Sequence, residues 1–126
     1  MKEFMLLIRN EAESKLHFSA EEDTRFLKAC EVYIEALKKN GNLIKAQPLV
    51  REGIMVSGTP GNWSEGNYTS ATEVIVGYYH VLANDLQHAI TIAKGNPEFA
   101  FTNTARIEVR PVKTKGVTTQ YVYPNG

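Results

Sequence analysis

Glu73-Val74-Ile75-Val76-Gly77-Tyr78-Tyr79-His80-Val81-Leu82 is the most β-prone run of the chain, β-branched or aromatic at most positions. It reads as a central strand, and Gly77 interrupts it, a hint of close packing. Downstream, Asn84 with Gln87 forms a capping pattern, and Leu86, Ala89, Ile90 and Ala93 space out a short helix stopped by Gly95-Asn96-Pro97. Ala105 to Val112 then alternates, Ile107 and Val109 apolar against Arg106, Glu108 and Arg110 polar, as a strand with one wetter face. Upstream, residues 57 to 67 are dense in turn formers and read as the longest irregular loop. Before it, residues 43 to 50 alternate as a strand that Pro48 confines to a sheet edge, with Ile54, Met55 and Val56 as a continuation of the ribbon.

The first forty residues supply the matching half. Phe4, Leu6 and Ile8 face one way and Met5, Leu7 and Arg9 the other, which predicts a strand over residues 2 to 9. Ser19 and Glu22 make a capping box, and Phe26, Leu27, Cys30, Tyr33, Ile34 and Leu37 recur at helical spacing until Asn40-Gly41. The order strand, helix, strand, strand, helix, strand predicts an α+β, ferredoxin-like β-α-β-β-α-β sandwich, an antiparallel sheet with both helices on one face. Phe4, Leu6, Ile8, Ile44, Ala46, Ile107 and Val109 are expected on the helix side. Met5, Leu7, Arg9, Lys45, Gln47, Tyr78, His80, Glu108 and Arg110 are expected on the open side, a mixed surface that a second copy would cover as a homodimer over a wet cleft. Residues 1–113 form the domain in this reading, and 114–126, with Val117, Tyr121, Val122 and Tyr123, a C-terminal arm or tail.

Composition narrows the function classes. Fourteen Lys and Arg balance fourteen Asp and Glu among 126 residues, so the electrostatic footprint of a nucleic-acid binder is missing. No apolar run approaches the ~20 residues of a membrane span. Cys30 is the single cysteine, which rules out an intrachain disulfide and points to a reducing, cytoplasmic setting. Three histidines without paired spacing give no metal template, and no Gly-rich loop between a strand and a helix is present to cradle phosphate. No metal or cofactor is expected.

The chain resembles the YCII-related family, including its branch named for an Asp-Gly-Pro-Phe motif. The resemblance runs over roughly positions 3 to 112: Phe4-Met5-Leu6-Leu7-Ile8, the helix closed by Asn40-Gly41 before Leu43, Val76-Gly77-Tyr78-Tyr79-His80-Val81, the helix start at Asp85-Leu86, and Ile107-Glu108-Val109-Arg110-Pro111-Val112. Where that branch shows Asp-Gly-Pro-Phe eight residues ahead of a Glu, this chain reads Glu65-Gly66-Asn67-Tyr68 ahead of Glu73. The resemblance implies a dimeric α+β barrel with a cleft at the open face. In some relatives a His-Asp pair is proposed as catalytic, and the histidine's place in helix one is taken here by Cys30.

The candidate site follows from alternation together with that motif. His80 is the expected catalytic residue, an imidazole on the open face able to act as acid or base near neutral pH. The competing reading is a hydrogen bond across the dimer interface, favoured because no carboxylate partner is legible in the sequence. Glu65 is the second catalytic candidate, with reverse-turn chemistry as the equally weighted alternative. Arg9, Lys45, Gln47, Trp63, Tyr68 and Tyr78 are the expected ligand-binding residues, Trp63 either closing over a ligand or anchoring its loop. His17 and His88 read as solvated, and Cys30 as inert packing. The function expected is small-molecule binding on the open face of a homodimer. The alternatives are a lyase- or isomerase-like enzyme using His80, and a non-catalytic dimerisation module.

Overall fold

The computed structural model describes residues 1–15, 18–67 and 72–124. Its elements run β1 (Lys2–Glu11), α1 (Ala20–Lys39), β2 (Leu43–Pro48), β3 (Ile54–Thr59), β4 (Asn62–Asn67), β5 (Glu73–Ala83), α2 (Leu86–Lys94), α3 (Glu98–Phe101) and β6 (Arg106–Pro111). β2, β5, β1 and β6 form a four-stranded antiparallel sheet in that order, and β3 and β4 a separate hairpin. The ferredoxin-like α+β architecture is therefore present, with β5 inside the sheet and the Pro48 strand at its edge. Among the described residues no helix is long and apolar enough to cross a membrane.

Side-chain alternation sorts the sheet into two faces. Ala46, Tyr79, Leu6 and Val109 lie in register across the four strands on the helix side. There Phe4, Leu6, Ile8, Val76, Tyr79 and Val81 are buried beneath Leu37 of α1 and Ala89, Ile92 and Ala93 of α2. Two register shifts keep this layering intact. One lies between Ile8 and Arg9, so that Val74 and Val76 on one side of it and Tyr79, Val81 and Ala83 on the other all face the helices. There Gly77 runs so close to β2 that a Cβ would sit 3.1 Å from the Gln47 carbonyl oxygen and 3.3 Å from Pro48 Cα.

The second shift, between Leu43 and Lys45, corrects one assignment. Leu43 pairs with Val81 and packs on the core, whereas Ile44, expected on the helix side, is the extra residue and is 45% exposed. Leu27 departs from its helical pattern too and is exposed.

Local signals set the helix ends. Ser19 and Glu22 form the expected capping box of α1, and Gly41 leaves the helix at φ 73°. The α2 cap lies one residue later than predicted. Asp85 accepts from His88 N at 2.8 Å, and His88 Nδ1 accepts from Asn84 N at 2.9 Å, so the His88 ring is tied to the helix start instead of lying solvated. The one-turn helix α3 is absent from the sequence reading.

The largest departure is the stretch read as an irregular loop. It is the β3–β4 hairpin, turned at Pro60-Gly61 with Gly61 at φ 84°, as Pro followed by Gly favours. Ile54 to Val56 belong to this hairpin and do not extend β2.

Candidate functional site

Two rows of side chains cross the open face. Lys45, His80, Met5 and Arg110 are in register from β2 to β6, and Gln47, Tyr78, Leu7 and Glu108 form the next row. The nine residues expected on this face therefore share it, since Arg9 pairs onward with Ile75 and Arg106. Met5, Leu7 and Tyr78 are half-buried in the middle, with charges toward the strand ends. This is the apolar centre and polar margin that alternation foresaw.

His80 has a carboxylate partner, contrary to the reading of the sequence. Its Nε2 lies 2.8 Å from Glu3 Oε1, and the two side chains are only 13% and 20% exposed. Glu3 is diagonal to His80 across β1 and β5, two residues before Met5 and so on the same face. That parity was available in the sequence, but pairing it with His80 requires the strand register.

At the β6 side Arg9 donates to Glu108 Oε1 at 3.1 Å, and Arg110 to Glu108 Oε2 at 2.9 Å. The hydrogen bonds from Arg110 and then Arg9 hold the Glu108 carboxyl below the usual carboxylate range. Arg106 reaches back to Glu73 with two hydrogen bonds, at 2.7 and 2.8 Å, and depresses that carboxyl in the same way. Lys45 and Gln47 on the edge strand are exposed.

Glu65 and Trp63 stand apart from the four-stranded sheet. Both lie on β4, where Glu65 pairs with Val56 and Trp63 with Gly58, and Trp63 is 61% exposed. Glu65-Gly66-Asn67 is accordingly strand and not a reverse turn. Tyr68 and His17 lie outside the described residues.

A second polar cluster, unread in the sequence, sits on the helix side at the end of β1. Glu98, 3% exposed, takes Asn10 Nδ2 on one carboxyl oxygen at 2.9 Å and Lys15 Nζ on the other at 2.8 Å. Asn10 is fully buried, and its Nδ2 donates to Thr102 as well while its Oδ1 accepts from Glu11 N and Thr104. Lys15 Nζ also lies 3.6 Å from the centre of the Phe26 ring. Cys30 is half-buried nearby, and burial pushes its thiol up, which suits packing better than nucleophilic attack.

The architecture is thus an α+β protein with a ferredoxin-like sheet that carries a contacting carboxylate and imidazole on its helix-free face, and family comparison narrows it. The model of the YCII-related domain matches residues 2–114, and the chain belongs to that family. No curated protein matches it.

Proposed function

We propose that the chain acts as a homodimer that binds a small molecule over the open face of its sheet. The Glu3–His80 pair carries this reading: two ionisable side chains, 2.8 Å apart and mostly enclosed, on a face whose middle is apolar. Burying such a pair is costly unless the surroundings use it. On the same face Lys45 is in register with His80, Gln47 and Tyr78 make the next row, and Arg9 lies toward the far end of β1; they supply cationic, amide and phenolic contacts for a polar ligand. Met5 and Leu7 give the partner copy an apolar stripe to cover. The β4 residues Trp63 and Glu65 are rim contacts in this reading, contributed by either copy.

Thermal-shift screening of the full chain against small polar metabolites tests it. A ligand at about 100 times Kd stabilises the native state by ~2.7 kcal/mol. His80→Ala and Gln47→Leu should each remove most of that shift, read against each variant's own unliganded midpoint. Hits whose shifts survive both substitutions would contradict the assignment.

The Glu3 carboxylate favours a second reading, proton-transfer chemistry of a lyase or isomerase. A carboxylate beside a histidine orients the ring and stabilises its protonated form while it accepts a substrate proton. Under that reading Glu3→Gln lowers kcat more than it raises KM for whichever hit turns over. Under pure binding it changes affinity alone, and in a non-catalytic dimerisation module no hit appears.

A further inference from the structure

Every residue of β3 and β4 is exposed, yet the ribbon they make has two unlike faces. Cross-strand pairing puts Ile54, Val56 and Gly58 on one face with Asn67, Glu65 and Trp63, and Met55, Ser57 and Thr59 on the other with Gly66, Ser64 and Asn62. The first face is apolar apart from Glu65 and Asn67, and the second is polar apart from Met55. Ile54 is 62% exposed and Val56 and Trp63 are 61%, so an apolar face built by alternation lies bare. A two-stranded hairpin is marginally stable in water unless such a face packs on something, and contiguous exposed apolar surface marks an interaction site.

Charge points to what lies against it. Glu65 is the one charged residue between Ile54 and Asn67, and among the described residues no cation meets it. On the open face of the sheet Arg9 and Arg110 share Glu108, and Arg106 holds Glu73. Lys45, exposed at the β2 margin and in register with His80, is the cation of that face that no carboxylate meets among the described residues. The two lone charges are opposite in sign, one set in an apolar ribbon face and the other at the rim of an apolar sheet face. Within one chain they do not pair. In a two-fold dimer both contacts form at once, because the symmetry carries each hairpin to the other copy's sheet.

We propose that the hairpin of each copy lays its Ile54, Val56 and Trp63 face on the β2 margin of the other copy's open face, with Glu65 against the partner's Lys45. Trp63 is two residues from Glu65 on the same ribbon face, ~7 Å along the strand, which brings the indole within reach of the partner's His80. The site of one copy is then incomplete without Trp63 from the other. This inference rests on the open-face homodimer and deepens it, by assigning Trp63 and Glu65 to the copy opposite the sheet they serve.

Trp63 is the single tryptophan, so its fluorescence reports the contact on the full chain without a label. In the unaltered dimer acrylamide should quench it several-fold less than in Leu7→Arg, which sets a cation in the middle of the open face to block pairing. Glu65→Lys and Lys45→Glu, both at exposed positions, should each weaken their own homodimer about tenfold in sedimentation equilibrium, since two attractive contacts turn repulsive. An equimolar mixture of the two variants should pair as tightly as the unaltered chain, because opposite signs then face each other at both contacts. Mixing does not repair a contact made within one chain. A monomeric unaltered chain would overturn this inference together with the open-face reading. A dimer whose Trp63 is quenched as freely as in Leu7→Arg, or a mixture no tighter than either variant alone, would overturn the hairpin contact and leave open-face pairing standing.

Discussion

His80 Nε2 meets Glu3 Oε1 at 2.8 Å, although the Cα register sets His80 opposite Met5 and Glu3 opposite Leu82. The contact is thus a diagonal one between β5 and β1, of the kind long side chains make across a sheet. Because both side chains are mostly enclosed, the coupling should exceed that of a solvated pair. A double-mutant cycle with Glu3→Gln and His80→Gln, read by urea unfolding at neutral pH, should give about 1 kcal/mol. A coupling indistinguishable from zero would mean that the two groups are merely adjacent.

Asn10 is the most fully committed polar side chain in the core, tied to Glu98, Thr102 and Thr104. Asn10→Leu would leave the Glu98 carboxylate with Lys15 alone and the Thr104 hydroxyl without its acceptor. The expected loss is about 2–4 kcal/mol in urea unfolding. A loss under ~1 kcal/mol would show that the network is dispensable.

Gly77 is constrained by β2 and not by its own torsions. In Gly77→Ala the new methyl meets the Gln47 carbonyl at 3.1 Å, so the edge strand must give way. Destabilisation of about 1–3 kcal/mol is expected, with amide exchange speeding up in β2 ahead of β1. Unchanged exchange in β2 would contradict this account of the glycine.

Much of this was legible before the structure. The alternation of Phe4-Met5-Leu6-Leu7-Ile8 and of Arg106 to Arg110 assigned both faces correctly, because a period of two admits only one choice once one face is apolar. Ile44 escaped because the extra residue of a register shift breaks that period locally, and no residue type announces it. Residues 57 to 67 were misread since Ser57, Gly58, Asn62 and Gly66 are turn formers by propensity, yet cross-strand pairing to β3 makes them strand. Glu3 lay on the right face by parity, but its meeting with His80 depends on a long-range register. Glu98, Lys15 and Asn10 converge from segments more than eighty residues apart, beyond anything spacing can signal.

Tyr79 predicts an alkaline limit. Burial, followed by the Cys30 and Glu98 charges, pushes its phenol from about 10 up to about 12. The folded state therefore holds the proton more tightly than the unfolded one, so this contribution is intact below pH ~10 and drains away between there and about 12. Tyr79→Phe should flatten the fall of stability over that window, measured by urea midpoints at stepped pH. An equal fall in both proteins would place the alkaline sensitivity elsewhere.

Pairing through the open face is the claim on which the functional reading rests, and Leu7, in the middle of that face between Tyr78 and Glu108, is the residue to probe. Sedimentation equilibrium at micromolar concentration measures it directly, with the unaltered chain beside Leu7→Arg. The account predicts twice 14.1 kDa for the unaltered chain and a folded single-chain mass for Leu7→Arg. A monomer in the first case, or an undiminished dimer in the second, would contradict it.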